Sequence, residues 1–425
     1  FARRREMLTG TLGEMRHPAR LPNLLGEAPT DKRALVIGAG AAGCTVAERL
    51  AARGWQVTLL ERNPGPAMEA SGNLIGLMHP ALSKDDNFMS RITRACALYA
   101  QRLLAAVYAE DLGLRWGPSG ILQLARDAAQ DQEQRETCES LGLPEDLVRY
   151  VGKDEASALA GATVAAGGWY FPGSGWLSPP TFCKALLARG GSRIDARYST
   201  PVDALEYRAG EWCALGNDGT VLAQAPTTIL ASALDGARLF PELPLKRIRG
   251  QVSLIPTGSV PDLKAGLCGN GYVTPAMDGR HCFGATFDVN DGGTELRAEG
   301  HVTNLGHLQA LLPELDTTAF NPQSMDGRVG FRTATPDRLP LLGPLPNMTE
   351  PLRREAQLPE VPRHPGLHAL LGLGSRGMVW APLSAELLVA RICGEPLPLE
   401  RDLADAMDPA RFLLRAQRKA AKERG

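Results

Sequence analysis

The spacing of apolar positions changes several times along the chain, and each change marks an element. From Arg33 to Ile37 a short aliphatic run reads as a buried strand. It is followed by a glycine turn, a helix-compatible stretch through Arg53, a stop at Gly54 and a second strand, QVTLLE. That order is one βαβ unit. Residues 84 to 110 read as a helix with Phe88, Ile92, Leu98 and Leu103 among its apolar positions, and 126 to 160 as helical, acidic and peripheral. PTTILASAL has the pattern of a buried strand, while RGQVSLIP and GYVTPAMDGRHCFGATF alternate like strands of an antiparallel sheet. A last apolar helix is expected from Pro382 to Ile392. The first 30 residues mix Pro, Gly and charge without a sustained period and read as a linker, with ordered structure beginning near Asp31.

Length and composition narrow the class. A chain of 425 residues with 44% apolar content can bury a large core and suggests two or more domains. Its formal net charge of -1 gives no global attraction to nucleic acid, so a polyanionic partner would need local basic patches. Three exist: Arg3, Arg4 and Arg5; Lys246, Arg247 and Arg249; and a C-terminal tail with Arg411, Arg415, Arg418, Lys419, Lys422 and Arg424. The plain reading of each, on the residues alone, is a solvated face. The eight cysteines (Cys44, Cys96, Cys138, Cys183, Cys213, Cys268, Cys282, Cys393) form no CxxC pair and no zinc spacing, and read as reduced core thiols; no metal is expected. With no run of 18 apolar residues and no signal-peptide order, a cytoplasmic protein without a membrane span is expected. The leading FARRREMLTG reads as the tail of something upstream, so a larger parent chain is expected.

The strongest local chemistry is GAGAAG. Gly38 suits a tight turn, Gly40 admits a pyrophosphate close to the backbone, and Gly43 allows close helix-to-strand packing, with the helix N-terminus facing the anion. Glu61, at the end of the next strand, is placed to accept hydrogen bonds from ribose hydroxyls. The motif predicts a dinucleotide and leaves FAD and NAD open. Small residues in ASGNLIG (Ser71, Gly72, Asn73, Gly76) would let backbone and short polar groups touch the pyrophosphate or an attached ring, unless this is an ordinary loop. In GLGSRGM, Gly372, Gly374 and Gly377 permit close approach, and the amides opening the next helix favour negative charge. Arg332, a guanidinium in the apolar GFRTAT stretch, needs a carboxylate partner, either a substrate acid or a structural salt bridge. Arg376 is a second candidate, and Tyr272 reads as a pocket cap or a buried sheet tyrosine. His79 is the histidine nearest these segments and reads as structural.

Taken in order, GAGAAG with Glu61, GFRTATPDRLPLLG and LGLGSRGMVWAPLSAELL make residues 31 to 420 resemble the D-amino-acid-oxidase-like family of flavoproteins. EASGNLIGLMHPALSKDDN, GSGWLSPPTF, RIRGQVSLIP and LCGNGYVTP resemble its branch that modifies the wobble uridine of tRNA. The resemblance implies an α/β fold: a Rossmann-like FAD-binding domain (31-105, 165-235 and 326-405) with a mixed α+β antiparallel-sheet substrate domain (106-164 and 236-325). Residues 1-30 would be a hinge and 406-425 a basic tail. It also implies FAD, and it extends the cofactor set to Arg62, Val202, Gly343, Ser375 and Met378. No cysteine lies between Cys282 and Cys393, where a covalent flavin link would be sought, so the FAD should be non-covalent. In related oxidases the arginine matching Arg332 clamps the substrate carboxylate. The implied reaction is oxidative removal of the carboxymethyl group of 5-carboxymethylaminomethyl-(2-thio)uridine at tRNA position 34. The implied partners are the anticodon arm and a methyltransferase module, fused upstream or separate. A free glycine or sarcosine oxidase and a non-catalytic flavin-binding scaffold remain the alternatives.

Overall fold

The computed structural model describes residues 29–347, 349, 352–353 and 356–422. The expected linker and the Arg3–Arg5 run lie outside them. A six-stranded sheet forms the base of the molecule, with strands in the order 341–346, 363–371, 227–230, 33–37, 56–60 and 194–197. All neighbours are parallel except the 341–346 edge strand, which runs against its neighbour. Period-two alternation decides which face each side chain covers. Ala34, Val36, Val57 and Leu59 pack under helices Ala41–Ala51, Phe88–Ala109, Pro179–Gly190 and Gly377–Ile392. Leu35, Ile37 and Leu60 turn to the other face and meet Trp212 and Ala214 of a three-stranded meander (204–208, 211–215, 221–225). With both faces covered, the first strand is buried from Ala34 to Ile37.

Above this base stands a larger mixed sheet. Its longest strand, Lys246–Pro256, pairs antiparallel with Asp326–Ala334 over nine residues and with Arg280–Gly284 over five. The sheet continues through Tyr272–Val273, Gly266–Cys268, Ile121–Leu124, Gly168–Phe171 and Arg149–Val151. Two of the expected boundaries therefore shift. Residues 326–334 and 168–171, assigned to the dinucleotide domain, are strands of the upper sheet, because their backbones find hydrogen-bonding edges there. The stretch read as helical from 126 to 160 is two helices, Ala128–Leu141 and Lys153–Ala160, with a strand between them. Gly142, in the left-handed region at φ 53, ends the first helix.

The C-terminal basic segment is also corrected. Residues 411–422 form a helix, and Arg411 is buried. It forks onto both oxygens of Asp337 at 2.9 Å and donates to the carbonyls of Leu339 (2.8 Å) and Met407 (2.9 Å). Arg415 takes Asp337 as well, at 2.6 Å. Burial alone would raise the Asp337 carboxyl, but the two guanidiniums hold it down at about 2. This end of the tail is spent on the fold.

Candidate active site

A cavity of about 1000 Å³ lies between the two sheets, at the upper end of the range of roughly 300–1000 Å³ usual for ligand pockets. Its lining joins segments that are hundreds of residues apart.

One end is built from the glycine turn. Gly38 has φ +104, and a Cβ there would stand 2.7 Å from the carbonyl oxygen of Ala231. At Gly43 a Cβ would stand 1.8 Å from the carbonyl oxygen of Gly38, so this glycine lets helix and strand meet and does not itself line the cavity. Gly40 caps the helix without a side chain and faces the cavity, where a Cβ would find only Ser71 Oγ, at 3.4 Å. Ala41 N–H donates to that oxygen at 3.0 Å. Glu61 is 8% exposed and ties the turn together: one oxygen accepts from Ala39 N–H at 2.7 Å, the other from Asn63 N–H at 2.9 Å and its side-chain amide at 2.8 Å. The adjacent Ser232 hydroxyl is buried and has no partner among the described residues. A helix N-terminus, an orphaned hydroxyl and a glycine cradle fit a pyrophosphate with its ribose.

The neighbouring loop is held by a residue that sequence reasoning missed. Arg328 donates to the Met68 carbonyl at 2.7 Å, to the Glu69 carbonyl, and to Asn73 Oδ1 at 3.1 Å. Gly72 is packed against this guanidinium, 2.4 Å from where its Cβ would be, and is not part of the lining. Ser71, Asn73, Gly76 and Val202 do line the cavity. So does Arg62, although its guanidinium is engaged by Glu69 (2.7 Å) and Asp235 (2.8 Å). Gly343 lies elsewhere, in an edge strand against Arg391, and has a packing role. The only early sign of the Arg328 clamp is its position four residues before Arg332, on the same face of one strand.

The other end carries Arg332, Tyr272 and Arg376, together with Gly374, Ser375, Gly377 and Met378 at the start of the last long helix. Arg332 donates to the Thr286 carbonyl at 3.1 Å and stands 5.9 Å from the Phe287 ring centroid; no carboxylate pairs with it among the described residues. The structural salt bridge that would explain it away is not there. Arg376 likewise has no acidic partner among the described residues, and burial lowers the pKa of both guanidiniums. Tyr272 OH lies 3.5 Å from Cys282 Sγ, and burial pushes its pKa up, so it stays a phenol.

His79 lines this end too, between Phe171 and Cys268. Its Nδ1 meets the Pro80 carbonyl at 2.9 Å, which can only accept, so the proton sits on Nδ1 and Nε2 is bare. Burial first, and Arg376 second, lower it to about 3. The ring is thus neutral and part of the site wall, beyond the structural role expected of it. Cys268, 3.6 Å from Nε2, is pushed up to about 12 by burial and remains a thiol. In the central basic run, Arg247 is exposed at the cavity rim, whereas Arg249 is 1% exposed and donates to the carbonyls of Gly293 (2.8 Å) and Glu295 (2.5 Å); it is not a phosphate contact.

A glycine turn on a parallel sheet, joined to a cationic cavity under a second sheet, defines a dinucleotide-dependent oxidoreductase of two-layer build. The chain belongs to the FAD dependent oxidoreductase family, whose pattern matches residues 33–391, and its dinucleotide is therefore FAD. Among curated relatives, it is 49% identical over 98% of its length to the tRNA 5-methylaminomethyl-2-thiouridine biosynthesis bifunctional protein MnmC of Azoarcus sp. (strain BH72). It is 42% identical over 99% to the protein of that name from Paraburkholderia phytofirmans (strain DSM 17436 / LMG 22146 / PsJN). The chain spans 65% and 66% of those proteins. Its fold is that of glycine oxidase from Geobacillus kaustophilus (TM-score 0.71, 21% identity, 89% of this chain and 99% of that one). L-proline dehydrogenase from P. horikoshii shares it (TM-score 0.70, 16% identity, 91% and 98%). Among the described residues, no helix is long and apolar enough to cross a membrane.

Proposed function

We propose that this chain oxidises a secondary amine that carries a carboxylate, and that the amine is the side arm of 5-carboxymethylaminomethyl-(2-thio)uridine at position 34 of tRNA. The products would be glyoxylate and 5-aminomethyl-(2-thio)uridine. Arg332 is the observation that carries this reading: a guanidinium in the wall of an FAD site, without an acid of its own among the described residues. Leaving such a charge unpaired is costly, and a substrate carboxylate in bidentate contact offsets the cost. The relatives' name, which concerns tRNA 5-methylaminomethyl-2-thiouridine, supports the choice of arm. An exposed aminomethyl group is what a methyltransferase would need to finish that nucleoside, and "bifunctional" fits a second module of that kind.

Bound FAD would take two electrons, as hydride, from the N–CH2 carbon next to the carboxylate. The protein's part is placement. Arg332 would hold the carboxylate and so fix which CH2 faces the acceptor, while Tyr272 keeps an uncharged wall beside it. The Nε2 of His79 meets the Cys268 thiol, and the neutral ring adds no positive charge that would oppose loss of hydride. Water then adds to the substrate imine and the carbon–nitrogen bond breaks. Non-covalent FAD fits the lining: Cys268, the cysteine facing this cavity, is held as a thiol. Flavin should therefore pass into the supernatant when the protein is precipitated with acid.

The test is anaerobic reduction of the flavin. Bleaching by tRNA bearing carboxymethylaminomethyluridine, with release of glyoxylate, is the expected result. Bleaching by glycine or sarcosine alone would replace it with a free amino-acid oxidase, and flavin that no amine reduces would leave a scaffold.

A further inference from the structure

The cavity rim carries an exposed aromatic ring. Phe287 is 59% exposed, among the largest exposures of any large apolar side chain in the described residues. It lines the cavity, and its ring centroid lies 5.9 Å from the Arg332 guanidinium carbon. Beside it at the rim, Arg247 lies 5.6 Å from the ring centroid of Phe331, which also lines the cavity. Arg247 is exposed and has no acidic partner among the described residues. The rim segment continues through Gly292 and Thr294. A small amino acid held by Arg332 would leave this ring bare, at the usual cost of exposed apolar surface.

We propose that Phe287 is the stacking platform for the pyrimidine ring that carries the oxidised arm, with Arg247 taking an adjacent phosphate. This deepens the tRNA reading and rests on it. The spacing supports it. The arm reaches from the base through a methylene, the amine and a second methylene to the carboxylate, so a carboxylate on Arg332 leaves the base a few ångströms away, at the rim where Phe287 stands. A base whose arm is oxidised inside a cavity must leave its neighbours in the anticodon loop, and an extruded base recovers the lost stacking on an aromatic face. Arg247 supplies the positive charge that a backbone phosphate beside the base would meet.

The measurement is steady-state and anaerobic flavin reduction by tRNA bearing carboxymethylaminomethyluridine, with full-length wild type and the variants Phe287→Ala, Phe287→Leu and Phe287→Tyr. Flavin content and thermal unfolding are checked for each. The expected result is a KM raised about tenfold or more by Ala and equally by Leu, with Tyr close to wild type, because stacking requires the ring and is not met by apolar area. Arg247→Gln should raise KM and flatten its dependence on salt. If Leu restores the wild-type KM, the ring serves only as apolar surface and the platform is overturned. If all three variants match wild type on a tRNA that bleaches the flavin, the inference fails while the substrate assignment stands. A wild type that the tRNA never bleaches would sink the substrate assignment itself.

Discussion

The two ends of one cavity are built on opposite electrostatic plans. At the dinucleotide end polar groups are largely satisfied before any ligand arrives: Glu61 accepts three hydrogen bonds, Arg62 meets two carboxylates, and Arg328 spends its guanidinium on the loop beside the glycine turn. At the reacting end neither Arg332 nor Arg376 has a carboxylate within salt-bridge distance among the described residues, and the unprotonated nitrogen of His79 meets only a neutral thiol. The first plan suits a group that stays bound from one turnover to the next. The second leaves charge to be completed by the molecule that comes and goes. Specificity should therefore reside where the protein is electrostatically unfinished.

The sharpest way to break this contrast is Arg332→Ala. On the proposed function it should lower kcat/KM by about 10²- to 10³-fold, on the order of 3–4 kcal/mol, while the protein stays yellow with full flavin content. A proportional loss of flavin would show that the ends are not separate. Gly43→Ala should do the converse. Its Cβ has nowhere to go between helix and strand, which costs about 1–3 kcal/mol and lowers both the thermal midpoint and the flavin-to-protein ratio. Normal flavin loading would contradict the tight packing. Glu61→Gln is expected to weaken FAD retention by about tenfold, read by flavin release on dilution, since one oxygen becomes a donor facing the Ala39 or Asn63 N–H groups.

The last test is a pH dependence. His79 is held at about 3 in the folded protein against an ordinary 6.5, so between these values the unfolded chain binds the extra proton. Stability from this group is fully present above pH 6.5 and declines as pH falls towards 3, with a slope of at most about 1.4 kcal/mol per unit. His79→Gln should flatten that part of a stability-against-pH curve. It should leave no inflection missing from the rate profile between pH 6.5 and 8, because the native ring does not titrate there. If the variant reproduces the wild-type slope, His79 is not neutral in the native state.

Several elements were legible because their physics is local. The run Arg33–Ile37, the glycine turn, Glu61 and the apolar helix ending at Ile392 follow from residue spacing and side-chain volume, and the structure places them in the parallel sheet and the helices that cover it. The helix is longer than expected. It begins at Gly377, and Pro382, read as its start, lies within its first two turns. The roles of arginines were not legible. Arg249, Arg328, Arg332 and Arg411 look alike in the chain, yet Arg249 and Arg411 are buried structural donors, Arg328 is a loop clamp and Arg332 holds a carbonyl with no salt bridge among the described residues.

What the sequence by itself determined is the glycine turn with its strand and helix, Glu61 at the next strand's end, and the family resemblance, because a turn, a helix start and an acidic strand end lie within 30 residues. What only the tertiary structure decided is the other end. Arg332 faces open cavity because Lys246–Pro256 pairs with its strand and brings Thr286 and Phe287 alongside. His79 reaches Cys268, 189 residues away, across the same space. A guanidinium's meaning is set by which acids and carbonyls come within hydrogen-bonding distance. That is a property of packing between remote segments, and one-dimensional spacing does not carry it.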